Sequence, residues 1–361
     1  MKKYNVGIIG ATGMVGQRFI ACLGNHPWFN IRVLAASGRS AGKVYGELMK
    51  GRWDIPAEMP AEASGITILD AVADAEKIAS EVDIVFCAVK MPKSEIVALE
   101  EKYAKLECAV MSNNSACRGY ADVPMLIPEI NPGHAVVIDA QRKRLGTKRG
   151  FIAVKSNCSI QSYVPALHPL MDFDLTDVLV CTYQAISGAG KTFATWPEMV
   201  DNIIPYIGGE EEKSELEPLK IWGRVEDGAV IDAVSPSITA QCIRVPVTDG
   251  HMAAVFARFG KKITIDEIKE RWRDFSAEPQ KLGLPSAPKQ FLHYFDEADR
   301  PQTRLDRDLE NGMAVTAGRL REDKQYTIKF ISLSHNTVRG AAGGAVLLAE
   351  LLCAEGLIER I

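Results

Sequence analysis

Long hydrophobic runs are missing from this 361-residue sequence. None of its apolar stretches reaches the roughly 18 residues that a membrane span needs, so no membrane partner is expected. The opening residues MKKYNVGIIGATGMVG carry two lysines. Glycines interrupt the apolar stretch at once, and a secretory signal is not expected. A strong charge of either sign is missing too. The net charge is −4, which offers no general attraction to nucleic acid. The eight cysteines contain no C-x-x-C pair and no Cys/His cluster of metal spacing. That pattern argues against a disulfide scaffold and against a bound metal. Repeats and low-complexity segments are also lacking. What remains is 47% hydrophobic and 24% charged, the balance of a soluble globular protein long enough for two domains. Scattered thiols suit a reducing cytoplasm, where most of them serve as small buried apolar residues.

Residues 1–155 alternate apolar runs with helical patterns. Strands are expected at 4–9, 31–36, 66–69, 83–89 and 108–111, and helices at 13–25 and 93–105. Repeated strand–helix–strand order implies a parallel sheet covered on both faces. Further on, helices are expected at 157–171, 192–203 and 265–274, and strands at 178–185, 239–247, 252–259, 314–319 and 326–332. Many strands with few helices between them imply a largely antiparallel sheet. The run EEEKSELE at 210–217 reads as an exposed segment or helix start. Residues 337–352 read as a helix rich in small residues, suited to pack back on the first domain.

Gly10-Ala-Thr-Gly13-Met-Val-Gly16 closes the first strand and opens the first helix. Glycines there allow a tight turn, and the helix N-terminus favours a pyrophosphate. Gly10, Thr12, Gly13, Met14 and Val15 are the candidate cofactor residues. NAD binders usually place an acid at the end of the second strand, but here the chain reads Ala35-Ala-Ser37-Gly-Arg39-Ser40. Ser37, Arg39 and Ser40 suit a 2′-phosphate, so NADP is expected rather than NAD.

Cys158 stands apart from the other thiols. It lies at the expected start of a helix, whose dipole would favour a thiolate and whose N–H groups could hold an oxyanion. It also follows the dinucleotide half directly. Cys22, Cys87, Cys108 and Cys181 fall within apolar patterns and read as core. Cys117 sits in a loop and carries no expected role. Of the six histidines, His251 has the most suggestive context, beside Gly250 and seven residues after Arg244.

At these residues the sequence resembles the aspartate-semialdehyde dehydrogenase family. The resemblance runs along Ser156-Asn157-Cys158-Ser159, Tyr183-Gln184-Ala-Ile-Ser187-Gly188-Ala-Gly190, Arg244 with His251, the segment 202–213, Arg304-Leu-Asp-Arg-Asp308 and His335-Asn-Thr-Val-Arg339. These are features of the branch shared by archaeal and fungal enzymes. The resemblance implies NADPH-dependent reduction of aspartyl 4-phosphate to aspartate semialdehyde and phosphate. Cys158 would be the nucleophile that forms a thioester, His251 the acid/base, and Gln184 an orienting residue. Arg244 would grip the substrate carboxylate and Glu210 its ammonium, with Glu211 close behind. Asn114, Arg118 and Lys213 would hold phosphate. Ser187, Gly188 and Asn336 would contact the cofactor.

The fold class that follows is α/β: an N-terminal Rossmann-type parallel sheet (1–155, joined in space by a C-terminal helix, 338–361) and an α+β catalytic and dimerisation domain (156–337). The resemblance implies a homodimer or homotetramer. The nearest rival is a malonyl-CoA or succinyl-CoA reductase on the same scaffold. Its substrate lacks the ammonium that Glu210 would hold. The basic segment 141–149 could grip a CoA phosphate, but reads more simply as a solvated connector. N-Acetylglutamyl-phosphate reductases resemble these motifs less. A non-catalytic NADP-binding regulator should have lost the cysteine, histidine or arginine, and all three are present.

Overall fold

The computed structural model describes residues 3–360. Met1, Lys2 and Ile361, the outer ends of the expected first domain and C-terminal helix, lie outside the described residues. The first sheet contains β1 (Tyr4–Ile9), β2 (Phe29–Ala36), β3 (Leu69–Asp70), β4 (Ile84–Cys87), β5 (Ala109–Ser112), β6 (Met125–Leu126) and β7 (Phe151–Lys155). All neighbours are parallel, in the order β3-β2-β1-β4-β5-β7-β6. Strands covered on both faces read as continuous apolar runs, and every residue of β4 is buried. The order reverses direction beside β1, which opens a crevice at the carboxyl ends of β1 and β4. Gly10 turns the chain there at φ +95°, and a Cβ would overlap the Ala88 carbonyl.

Helices α1 (Met14–Leu23), α2 (Lys93–Lys105) and α3 (Ile138–Leu145) connect these strands. α3 takes up part of the basic segment expected to be a solvated connector. Gln141 is fully buried and donates to the Asp122 and Ile152 carbonyls. Arg142 donates to Leu357 and Arg149 carbonyls, and Arg144 pairs with Asp122 and Glu101.

The second sheet is mixed. It contains β8 (Leu175–Gln184), β11 (Ser237–Arg244), β12 (His251–Phe259), β13 (Leu292–Phe295), β14 (Val315–Glu322) and β15 (Ile328–Ser334), in the order β11-β8-β12-β15-β14-β13. β9 (Arg224–Glu226) and β10 (Ala229–Ile231) form a separate hairpin. The three inner pairs are antiparallel and the two outer pairs parallel, so the sheet is mostly antiparallel as expected. Two helices frame it, α4 (Glu210–Ile221) and α5 (Ile265–Asp274). α5 starts at a capping box in which Thr264 and Glu267 satisfy each other's backbone N–H groups. Ile268 and Trp272 of α5 share a core with Val180, Val255 and Phe330 of the sheet. The opposite face carries half-buried Leu179, Cys181, Tyr183, Met252, Ala254 and Phe256. Cys181 is therefore not a core residue: strand alternation turns it outward.

α6 (Ala342–Ala354) returns to the first sheet. Its Ala345, Val346, Leu348, Ala349 and Leu352 join Phe19, Ile20 and Leu23 of α1 in one core with Val6 and Ile8. Each fully buried Leu, Val or Phe contributes roughly 1.5–3 kcal/mol of apolar burial.

Three expected helices differ. Residues 157–171 form short turns at Ile160–Ser162, Val164–Leu167 and His168–Phe173, because Pro165 and Pro169 cannot donate to a continuing helix. Residues 192–203 hold one short turn at Pro197–Met199. The acidic run at 210 is neither loop nor exposed: it opens α4, and Glu210, Ser214 and Glu217 are buried.

Candidate active site

The glycine turn stands between two cavities. One, of about 530 Å³, is lined by Gly10, Thr12, Gly13, Ser37, Gly38, Arg39, Asp70 and Lys90. α1 has no side-chain cap at Gly13, so its first-turn N–H groups remain open to an anion. With Arg39 and Lys90 alongside, this donor set fits an anionic dinucleotide. Met14 and Ser40 line neither this cavity nor the next. Asp70 and Lys90 escaped the sequence reading. The signal was slight: Asp70 ends a two-residue strand whose partner is β2.

The second cavity, about 240 Å³, is lined by Val15 of α1, Asn113, Ser115, Arg118, Asn157, Cys158, Ser187, Gly188, Glu210, Lys213 and Asn336. Residues from both sheets meet here. Cys158 Sγ lies 3.5 Å from His251 Nε2. The backbone N–H of Ala185 donates to His251 Nδ1 at 3.1 Å. That bond leaves the ring proton on Nε2, facing the sulfur. Gly188 closes over both residues, and a Cβ there would stand 2.9 Å from Arg244 Nη1 and 3.0 Å from His251 Nε2.

The expected helix dipole is absent at Cys158, since the turns that follow it are too short and broken. Burial and then Glu210 push its thiol up to about 11, against the pull of Lys155, Arg118 and Arg244. This corrects the expectation of a resting thiolate. Burial, reinforced by Arg244, holds the His251 ring down at about 3, so the imidazole is neutral at ordinary pH.

Glu210 faces the cavity. Its carboxylate accepts from Asn157 Nδ2 at 3.0 and 3.1 Å and from Lys213 Nζ at 2.7 Å. Burial opposes its charge, but Lys213, Asn157 and Gln184 hold the carboxyl below its ordinary value. Glu211 turns to β11 instead, accepting from Gln241 and the Cys242 N–H. Gln184 is buried behind the site, donating to Thr182 and more distantly to Glu210 at 3.4 Å. Arg244 is 5% exposed and donates through Nη1 to the Ala185 carbonyl at 2.6 Å. Asn336 donates to Ser187 Oγ and accepts from the Gly250 N–H, tying the two edges of the cavity together.

Asn114 is not where the sequence reading put it. Its side chain donates to Glu100 at 2.8 Å and approaches Cys87, under the loop rather than above it. Neighbouring residues of a loop face opposite ways, and Asn113 and Ser115 reach the cavity instead. Arg118 does line it, while pairing with Glu217 at 2.8 Å. Cys117 is buried against Glu100. Lys155 and Arg339, quoted in the motifs without a role, are both buried. Arg339 binds Glu129 with two nitrogens and Gln161 with a third. Gln161 in turn donates to Ser156, which braces the segment that carries Cys158. A larger cavity of about 580 Å³, between the turn at His168–Phe173 and α5, contains none of these groups. Among the described residues no cluster could hold a metal ion, and no helix is long and apolar enough to cross a membrane.

Comparison with known proteins agrees with this geometry. Residues 5–137 match the family described as semialdehyde dehydrogenase, NAD binding domain, and residues 167–339 match semialdehyde dehydrogenase, dimerisation domain. The aspartate-semialdehyde dehydrogenase of Methanothermobacter thermautotrophicus is 44% identical over 96% of this chain and 98% of its own. That of Schizosaccharomyces pombe is 43% identical, covering 98% and 99%. The crystal structure of the Candida albicans aspartate-semialdehyde dehydrogenase with NADP superposes with a TM-score of 0.88 at 37% identity, covering 98% of this chain and 100% of that one. Aspartate-semialdehyde dehydrogenase II of Vibrio cholerae, complexed with ASA, gives 0.75 at 25% identity, covering 98% and 99%. With full-length relatives at this identity and the same two-domain fold, the chain belongs to the aspartate-semialdehyde dehydrogenase family.

Proposed function

We propose that the chain reduces L-aspartyl 4-phosphate with NADPH to L-aspartate 4-semialdehyde and phosphate, a step in lysine, threonine and methionine biosynthesis. The observation that carries this reading is the Cys158–His251 contact at 3.5 Å, in a cavity that the glycine turn also borders. The bound nicotinamide supplies hydride. Cys158 attacks the acyl carbonyl, phosphate leaves, and a thioester remains on Sγ. His251 presents Nε2–H to the sulfur and then to the oxygen of the thiohemiacetal. Arg244 holds the substrate carboxylate and Glu210 the ammonium. Arg118 and Lys213, joined by Asn113 and Ser115, receive the phosphate. Ser187 and Gly188 flank the nicotinamide. Asn336, whose amide is engaged by Ser187 and Gly250, shapes that pocket.

The open face of the second sheet supports a homodimer or homotetramer formed through this domain, because an apolar face of that size is rarely left in water. Eight free thiols, with none paired, suit a reducing cytoplasm.

An NADPH- and phosphate-linked assay with aspartate semialdehyde beside malonyl-CoA tests the reading. Turnover is expected with the semialdehyde. Turnover with the CoA ester alone would overturn the substrate, and Glu210 with its three donors would then need another partner. Arg39→Ala is expected to raise KM for NADPH by about ten- to a hundredfold, as loss of a charge-assisted contact should, and to leave KM for NADH nearly unchanged. Equal losses would refute the 2′-phosphate role.

A further inference from the structure

Lys155 ends β7 with its side chain 2% exposed. Its Nζ donates to the Ser156 carbonyl at 3.1 Å. Among the described residues it forms no ion pair, although a buried ammonium normally has one. Cε lies under α6, where a Cβ on Gly344 would stand 2.9 Å from it, so the amine is confined beside the Cys158 segment. The groups that act on it are the cations Arg118 and Arg339, the carboxylate of Glu217, and Cys158 itself. Burial, with the two arginines, pushes the amine well below its ordinary value. It is thus available as a base at neutral pH.

The other base candidates are committed. His251 Nδ1 already accepts the Ala185 N–H, and its Nε2 carries a proton, so the ring has no free lone pair for a thiol proton. The Glu210 carboxylate is satisfied by Asn157, Lys213 and Gln184. Arg118 and Arg244, which also act on Cys158, cannot accept a proton.

Resting on the reading of Cys158 as nucleophile, we infer that Lys155 receives the Cys158 thiol proton when the nucleophile forms. One proton leaves Sγ and one N–H bond forms at Nζ. Thiol and amine become thiolate and ammonium, and the net charge of the buried site is unchanged. His251 then donates Nε2–H to the thiolate. Lys155 acts through Cys158 and touches no substrate, so it is a positioning residue.

The proposal has a signature in the unmodified enzyme. A lone thiol below its pKa alkylates about tenfold faster per pH unit. A thiol that exchanges its proton with an internal amine keeps a constant thiolate fraction between the two ionisations. Iodoacetamide labelling of the Cys158 peptide, read by mass, is therefore expected to show a rate plateau between about pH 7 and 9. Lys155→Met should abolish the plateau and lower kcat about tenfold or more, with KM for aspartate semialdehyde within about threefold. Lys155→Gln, which keeps a donor for Ser156 but no base, should behave alike. A tenfold climb per unit in the wild-type enzyme would overturn the proposal whether or not the variants fold. A plateau surviving in Lys155→Gln would reduce the residue to a hydrogen-bond donor and overturn it too. Cys158→Ser retaining turnover would instead refute the nucleophile, and the labelling data would stand apart from that failure.

Discussion

Replacing Cys158 with serine is expected to lower phosphate-dependent oxidation of aspartate semialdehyde by at least about 10⁴-fold. The cavity supplies neither a base strong enough for an alcohol nor a helix dipole to assist one. Even the thiol, far more acidic, is pushed up to about 11 by burial and Glu210. A hydroxyl at the same position would remain protonated at any working pH. NADPH affinity, followed by fluorescence, should change less than about twofold, because the nucleotide cavity is lined by the glycine turn, Arg39 and Lys90, with Cys158 beyond it. Mass spectrometry of wild-type enzyme with acyl phosphate should trap an adduct on Cys158 that the serine variant lacks. Full activity in the variant would remove the thioester from the mechanism.

His251→Asn should reduce kcat by about 10²–10⁴-fold, the range for a lost general acid, with a smaller effect on KM. The ring contacts Cys158 and is otherwise held by backbone, so its removal affects chemistry more than binding. The pH behaviour is more diagnostic than the magnitude. The folded ring titrates near 3, whereas an unfolded histidine titrates near 6.5. Between those values only the unfolded chain takes the proton. The stability linked to this residue is therefore complete above about pH 6.5 and is lost as pH falls toward 3. His335, lowered to about 4 mainly by burial, adds a second contribution of the same sign. The melting temperature should accordingly fall between pH 7 and 4, and by less in His251→Asn. The kcat profile of the wild-type enzyme should show no break near 6.5. A break there that disappears in the variant would mean the working ring is an imidazolium, contrary to the Ala185 N–H bond at Nδ1.

Legibility differed between kinds of feature. β1, α2 and α5 lie where periodicity placed them, because each has one dominant pattern and a clear stop. The helix expected after Cys158 failed because its apolar spacing ignored two prolines. The acidic run at 210 failed for another reason. Its average polarity is high, yet Glu210 and Glu217 face inward to Asn157 and Arg118, and local composition carries no information about a partner on another element. The same blindness moved the phosphate contact from Asn113 to Asn114, since a motif names a loop but not the direction each side chain takes.

From residue types and order alone came the two-domain α/β layout, the glycine turn, and the singling out of Cys158, His251 and Arg244. These are properties of chain chemistry: apolar periodicity selects elements, and nucleophile, base and cation are recognisable one at a time. Tertiary structure decided how they are charged. The thiol is protonated at rest, the imidazole is a fixed donor, and a buried lysine shares the site. Each outcome depends on desolvation and on which backbone groups reach which atoms, such as the Ala185 N–H at His251 Nδ1. Those distances exist only once β8, β12 and the turn after β7 have packed together.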